Sequence, residues 1–234
     1  MKLVAVYRLT GYDRTLLDLR LMTLELGVAV RQLLSKALEA LRINVRDNWH
    51  LHDEAIDLAR DRIVERCFYV MGLQQLREQE LRWILGYQRI AQELERIADY
   101  ACDVAELSEL RSERGCPPEI WEMAVQLSSM FDQALLSLQE GDQSCDWVAE
   151  DEKLDQIYAG LQKELVRCSE KQEINQELGF KLILARTLER MGDHVVNVGQ
   201  QHYYVQTGQR WSADGKSDKM NEQTDDKLSE SRRS

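Results

Sequence analysis

Acidic side chains stand four residues apart in pairs along this chain: Asp53 and Asp57, Glu95 and Asp99, Asp151 and Asp155, Glu189 and Asp193. Four residues advance a helix by about 400°, so each pair stacks on one face, one turn apart. Asp61 and Asp103 continue two of these rows, and Asn197 continues a third. Like charges at this spacing cost an isolated helix about 0.2–0.5 kcal/mol. Where 30% of residues are charged, such a pair is often only a solvated helix face. The alternative chemistry is cation binding. Carboxylates converging from neighbouring helices offer all-oxygen ligands, which suit hard ions such as Mg²⁺, Mn²⁺, Ca²⁺ or oxidised iron. No cysteine or histidine has zinc-ligand spacing. His50 and His52 at a helix start, and His194 after Asp193, read as structural or surface groups. The spacing by itself leaves both readings of the acids open.

The elements that must position these acids read as helices. Over 12–42, Leu26, Val30, Leu33, Ala37 and Leu41 recur at steps of three and four, the helical period. A second helix over about 50–76 carries Ile56, Ile63, Cys67 and Val70 on its apolar side. A third, from Glu78 to about Arg111, has an unbroken stripe of Ile84, Tyr87, Ala91, Leu94, Ala98, Ala101 and Ala105. That is a bundle seam. Gly115-Cys116-Pro117-Pro118 then punctuates the chain, because glycine ends helices and proline opens them. Further helical stretches follow at about 118–140, 146–171 and 173–207, the last with Ala185, Leu188, Gly192, Val195 and Gly199 along its seam. Glu95 lies about 40° around its helix from Ala91, given 3.6 residues per turn. The acids therefore border the apolar seam, with small residues (Ala98 and Gly192) beside them.

The two halves are copies. Leu94-Glu95-Arg96-Ile97-Ala98-Asp99 matches Leu188-Glu189-Arg190-Met191-Gly192-Asp193, and Asp53-Glu54-Ala55-Ile56-Asp57 matches Asp151-Glu152-Lys153-Leu154-Asp155. Lys36-Ala37-Leu38-Glu39-Ala40-Leu41 matches Gln133-Ala134-Leu135-Leu136-Ser137-Leu138. Three matches in the same order indicate an internal duplication. The expected fold is all-α: two tandem three-helix bundles over 1–114 and 117–208, with a disordered tail over 209–234 whose composition cannot offset its ordering entropy. The acid pairs fall at matching places in both copies, which favours a role beyond solvation.

Composition bounds the function. The net charge is −11, and residues 209–234 hold six basic and six acidic side chains. The excess therefore sits in the globular part, a poor match for a nucleic-acid backbone. Five cysteines without a C-x-x-C motif fit idle thiols in a reducing compartment. No basic-then-apolar signal opens the chain, and no apolar run approaches the ~20 residues needed to span a bilayer. The expected location is the cytoplasm, with any membrane contact made through partners.

On these residues the sequence resembles the PhoU family, accessory proteins of phosphate-specific transport. The family's second-helix E/D-x-x-x-D pair has its counterparts in Asp53–Asp57 and Asp151–Asp155. The third-helix L-E-R-I-G-D-H-like run has its counterparts in Leu94–Tyr100 and Leu188–His194. Ala98 and Tyr100 depart from the family's glycine and histidine. The resemblance covers about residues 12–207. It implies two three-helix bundles, a homodimer or higher oligomer, and bound Mn, Mg or Fe ions held by Asp53, Asp57, Glu95, Asp99, Asp151, Asp155, Glu189 and Asp193. It further implies a non-enzymatic negative regulator acting between the ATPase of a phosphate ABC transporter and a phosphate-sensing histidine kinase.

Two other functions compete. One is a bundle metalloenzyme, either di-iron or a two-metal phosphohydrolase. The chain has no Glu-x-x-His pair, phosphate loop, nucleophile elbow or H-E-x-x-H motif to support it. The other is an accessory protein of a different phosphate permease, which shares the fold.

Overall fold

The computed structural model describes residues 11–43, 47–73, 75–110, 115–141, 145–170 and 176–211; among them there are six α-helices and no strand. The helices are α1 (Gly11–Ile43), α2 (Trp49–Leu73), α3 (Glu78–Glu109), α4 (Pro118–Glu140), α5 (Trp147–Glu170) and α6 (Gln176–Thr207). Each is long because proline is confined to positions 117 and 118, where Pro117 is the N-cap and Pro118 the first residue of α4. A proline there has no N–H to waste, and its φ already suits the helix. The α3 start is closed by Glu80, whose carboxylate accepts the Arg77 backbone N–H at 2.7 Å, one half of a capping box.

Helices α1, α2 and α3 pack on one another, and α4, α5 and α6 do the same. Every pairing in the first bundle recurs between the corresponding helices of the second. The bundles join through two self-matching contacts, α3 against α6 and α1 against α4, the arrangement expected of a duplicated unit folded back on its copy. Ile84, Tyr87, Ala91, Leu94, Ala98, Ala101 and Ala105 are all buried, as the stripe predicts. A second row on α3, Ile90, Ile97 and Val104, is also wholly buried, because α3 meets α6 as well as α1 and α2. Helix α6 is buried in the same manner through Leu188, Met191, Val195 and Val198.

Trp49 and Trp147 stand 98 positions apart, the offset of the Asp53 and Asp151 motifs, and each opens the second helix of its bundle from a buried position. They anchor the starts of α2 and α5 one turn before the first acid of each site. Polar links fix the bundles to each other. Arg20 of α1 donates to the last carbonyls of α4, Leu138 and Gln139, at 3.3 and 3.0 Å, where the helix dipole favours a cation. Arg31 and Asp132 form a bidentate pair between the same helices.

Three residues of the expected tail, 209–211, lie among the described residues. Trp211 is half-buried and packs against the core, since its large apolar surface gains more from docking than from solvent. Residues 212–234 lie outside the described residues, as do 111–114 at the expected boundary between bundles. Cys67 and Cys102 are buried, and burial pushes both thiols up to about 12. No helix among the described residues is long and apolar enough to cross a membrane.

Candidate carboxylate sites

Each bundle brings its two acid pairs together, one from its second helix and one from its third. In the second bundle the meeting of α5 and α6 depends on Gly192. A Cβ there would stand 2.5 Å from Leu154 Cδ1 and 3.2 Å from Asp151 Oδ1. The space beside the acids is thus filled by the α5 side chains, which puts Asp151 directly against the α6 backbone. Asp151 is pushed to about 6, first by burial and then by Asp155, Asp193 and Glu189. Burial and Asp193 likewise raise Glu189, and burial and Asp155 raise Asp193. These shifts are those of neighbouring like charges partly removed from water.

In the first bundle Asp53 and Asp99 line one cavity and feel each other's charge. Asp99 is raised to about 6 by burial and then by Glu95 and Asp53. Burial also raises Glu95, against the opposing pull of Arg60 and Arg96. A cavity of about 400 Å³ opens onto this cluster, with Asp53, Asp99, Asp103 and Glu106 on its wall. His50 also lines it, pairing with Glu54 at 3.3 Å, while His52 turns away to Asp47 at 2.9 Å.

Three carboxylate oxygens in these clusters are buried without a hydrogen-bond partner: Asp53 Oδ1, Asp151 Oδ1 and Glu189 Oε2. Asp53 and Asp151 are the same position in the two copies. An orphaned anionic acceptor is costly, and two at equivalent places fit a donor set made for a cation. Among the described residues, no three His, Cys, Asp or Glu side chains converge on one coordination point. The eight acids therefore form two electrostatic neighbourhoods rather than finished shells.

Two arginines to which the sequence alone assigns no role sit within these neighbourhoods. Arg60 places Nη2 2.8 Å from Asp57 Oδ1 and 3.5 Å from Glu95 Oε1, and Nη1 3.3 Å from Asp61 Oδ1. Arg186 donates to Glu189 Oε1 at 2.9 Å and lies over the Tyr158 ring at 5.6 Å. Both stand three residues from an acid on their own helix, a spacing that signals an ion pair. Arg96 adds a contact of 3.3 Å to Asp99.

His194 is not turned to the acids of its own bundle. Its Nδ1 meets Glu93 Oε2 of α3 at 2.7 Å, and Asn197 Nδ2 donates to the same oxygen at 3.1 Å. Burial pushes Glu93 up, but the hydrogen bonds from His194 and Asn197 outweigh it and hold the carboxyl below its usual range. The ring of His194 also contacts Tyr100, its counterpart in the first copy, at 5.7 Å between centroids. Tyr100, the departure in the first copy, thus meets the histidine that the second copy keeps, between the bundles.

A chain of two matched three-helix bundles, each with a half-buried cluster of carboxylates at the same place, defines a class of duplicated helical proteins. The family model described as the PhoU domain matches residues 23–108 and again 120–201, and the chain belongs to the PhoU family. It is 30% identical over 163 residues to a phosphate-specific transport system accessory protein PhoU homolog of Synechocystis sp., covering 68% of this chain and 73% of the relative. It is 28% identical over 207 residues to the homolog of that name in Streptococcus pneumoniae, covering 85% and 96%. The crystal structure of the phosphate transport system regulatory protein PhoU from Streptococcus pneumoniae superposes with a TM-score of 0.73 at 26% identity, covering 86% of this chain and all of that one. PhoU from Pseudomonas aeruginosa shares the fold with a TM-score of 0.75, at 23% identity.

Proposed function

We propose that this chain is a cytoplasmic, non-enzymatic regulator of phosphate uptake that restrains a phosphate ABC transporter and its sensor-kinase signalling. In this reading the bundles over 1–114 and 117–208 each hold a hard cation through their own acids: Asp53, Asp57, Glu95 and Asp99 in one, Asp151, Asp155, Glu189 and Asp193 in the other. The observation that carries the metal reading is the pair of buried, unpartnered oxygens Asp53 Oδ1 and Asp151 Oδ1 at equivalent positions. A bound Mn, Mg or Fe ion supplies the positive charge that these carboxylates lack. The acids of α2 and α5 then hold α3 and α6 at fixed spacing, so the cation sets the surface that each bundle presents.

The regulatory reading draws on the relatives, which are named as accessory proteins of a phosphate-specific transport system. The expected partners are the transporter's ATPase and a phosphate-sensing histidine kinase. A homodimer is supported by exposed apolar residues on α2: Leu51, Leu58 and Tyr69, at steps of seven and eleven that share one helix face. The direct experiment removes the gene and measures phosphate uptake and transcription of the transporter genes in phosphate-replete cells. Both rise if the chain restrains the system and return to normal when the wild-type gene is restored. Unchanged uptake and transcription would overturn the regulatory reading.

A further inference from the structure

A second polar site lies between the start of α3 and the end of α6, away from the carboxylates. It is a cavity of about 610 Å³ whose wall includes Arg82, Arg89, Arg210, Gln201, Tyr204 and Trp211, and among the described residues no acid lines it. Three guanidinium groups on one cavity wall are unexpected in a chain of net charge −11. Guanidinium clusters without acids read as receptors for oxyanions, because each presents a planar fork of donors that matches phosphoryl oxygens.

Two details give this wall the character of a built site. Arg82 is largely withdrawn from solvent, and its Nε is buried without an acceptor. Its guanidinium lies against Gly208, where a Cβ would stand 2.6 Å from Nη1; Gly208 has φ +73, which a side chain would strain. The chain past α6 therefore turns over Arg82 and carries Arg210 and Trp211 onto the cavity wall. The nearest acids are loosely placed: Glu78 is 4.0 Å from Arg82 and almost wholly exposed, and Glu93 is 3.8 Å from Arg89. Glu93 is already engaged by His194 and Asn197.

We propose that this cavity binds a phosphoryl group through Arg82, Arg89 and Arg210, with Trp211 and Tyr204 providing a surface for a flat ring attached to it. Its volume lies within the ~300–1,000 Å³ typical of small-molecule sites, enough for a nucleotide and more than free phosphate needs. The site uses none of the eight carboxylates and stands or falls independently of the metal reading.

The test is calorimetric titration of the full-length protein with ATP, inorganic phosphate and adenosine, in magnesium-free buffer so that carboxylate-bound cations do not contribute. ATP is expected to bind saturably, and the double variant Arg89→Gln with Arg210→Gln to weaken it at least ~10-fold, given the strength of charge-assisted hydrogen bonds. Both side chains are exposed, so the variant keeps its fold, and circular dichroism checks that. Trp211→Phe separates the sources of the phosphoryl group. If ATP binds more tightly than phosphate and loses part of that advantage in Trp211→Phe, the ligand is a nucleotide. Equal binding of ATP and phosphate, both lost in the arginine variant, leaves a site for free phosphate and overturns the ring surface. No saturable binding of ATP or phosphate at millimolar concentration overturns the proposal, as does binding that the arginine variant leaves intact.

Discussion

The two acid clusters descend from one duplicated motif and have been compensated differently. In the first, Arg60 reaches from α2 into the cluster and touches Asp57, Asp61 and Glu95. The corresponding position of the second copy is Tyr158, and the position matching Asp61 is Ala159. There the nearest guanidinium comes from α6: Arg186 holds one oxygen of Glu189 and leaves the other unpartnered. The first cluster thus carries part of its positive charge in the chain, whereas the second keeps two orphaned oxygens, on Asp151 and Glu189. Identical acids do not make identical sites. What differs is how much charge remains to be supplied from outside, and on that ground the second cluster should be the tighter cation site.

The largest expected effect is on metal affinity. Glu189→Gln with Asp193→Asn should lower the affinity of the second site about 100-fold or more, since loss of an outer-shell partner alone costs about 10–100-fold. The corresponding Glu95→Gln with Asp99→Asn should cost less, because Arg60 remains. Elemental analysis after dialysis against a graded chelator separates the two. Equal losses would dissolve the distinction between the clusters.

Next in size is a steric effect. Gly192→Ala places a methyl group 2.5 Å from Leu154 Cδ1, an overpacking that should cost about 1–3 kcal/mol in a denaturant titration. Ala98, its counterpart, already accommodates a Cβ within a fully buried seam. Ala98→Gly should therefore cost only about 1 kcal/mol, chiefly through helix propensity. A neutral Gly192→Ala would mean that α5 and α6 do not approach as closely as described.

Arg60→Gln should be smaller still in stability, about 1 kcal/mol at most, because Asp57 is substantially exposed and its ion pair is screened. Its informative result lies elsewhere. The variant should bind a divalent cation more tightly at the first cluster, making it resemble the second. Weaker binding there would mean that Arg60 orders the ligands rather than replacing a cation.

A further effect is on pH dependence and distinguishes the two states of the protein. Asp99 and Asp151 are raised to about 6, by burial and neighbouring carboxylates. A raised carboxyl contributes stability below its ordinary pKa, near 4, and that contribution is lost as pH rises through about 6. Chelator-treated protein should thus become less stable between about pH 4 and 6 through these two groups. Protein with cation present should show the opposite trend, because ligands must be deprotonated to bind. Thermal melts across that range, with and without chelator, check the crossing.

Much of the fold was legible in the residues. The α3 stripe from Ile84 to Ala105 and the repeated Leu-Glu-Arg runs determine six helices in two copies, because burial on one face imposes the helical period. The second buried row of α3, Ile90 with Ile97 and Val104, was not assigned, since it depends on α6 packing across the duplication. The eight acids were visible through their spacing, and the structure groups them four to each bundle. Their compensation was less visible. Arg60 and Arg186 sit at pairing distance from acids on their own helices, but charged neighbours are common in such a sequence. The meeting of Glu93 with His194, 101 residues away, leaves no local pattern at all. Composition assigns residues 209–234 to a tail, and only packing shows that Trp211 docks on the core.

The central claim is that both clusters bind a hard cation and that the second binds it more tightly. The measurement that addresses it most directly is titration of Mn²⁺ into chelator-stripped wild-type protein, followed by calorimetry. Two classes of site are predicted, the tighter one lost in Glu189→Gln with Asp193→Asn and the weaker one strengthened by Arg60→Gln. A titration without saturable binding, or a tighter class that disappears with Glu95→Gln and Asp99→Asn instead, would contradict the account.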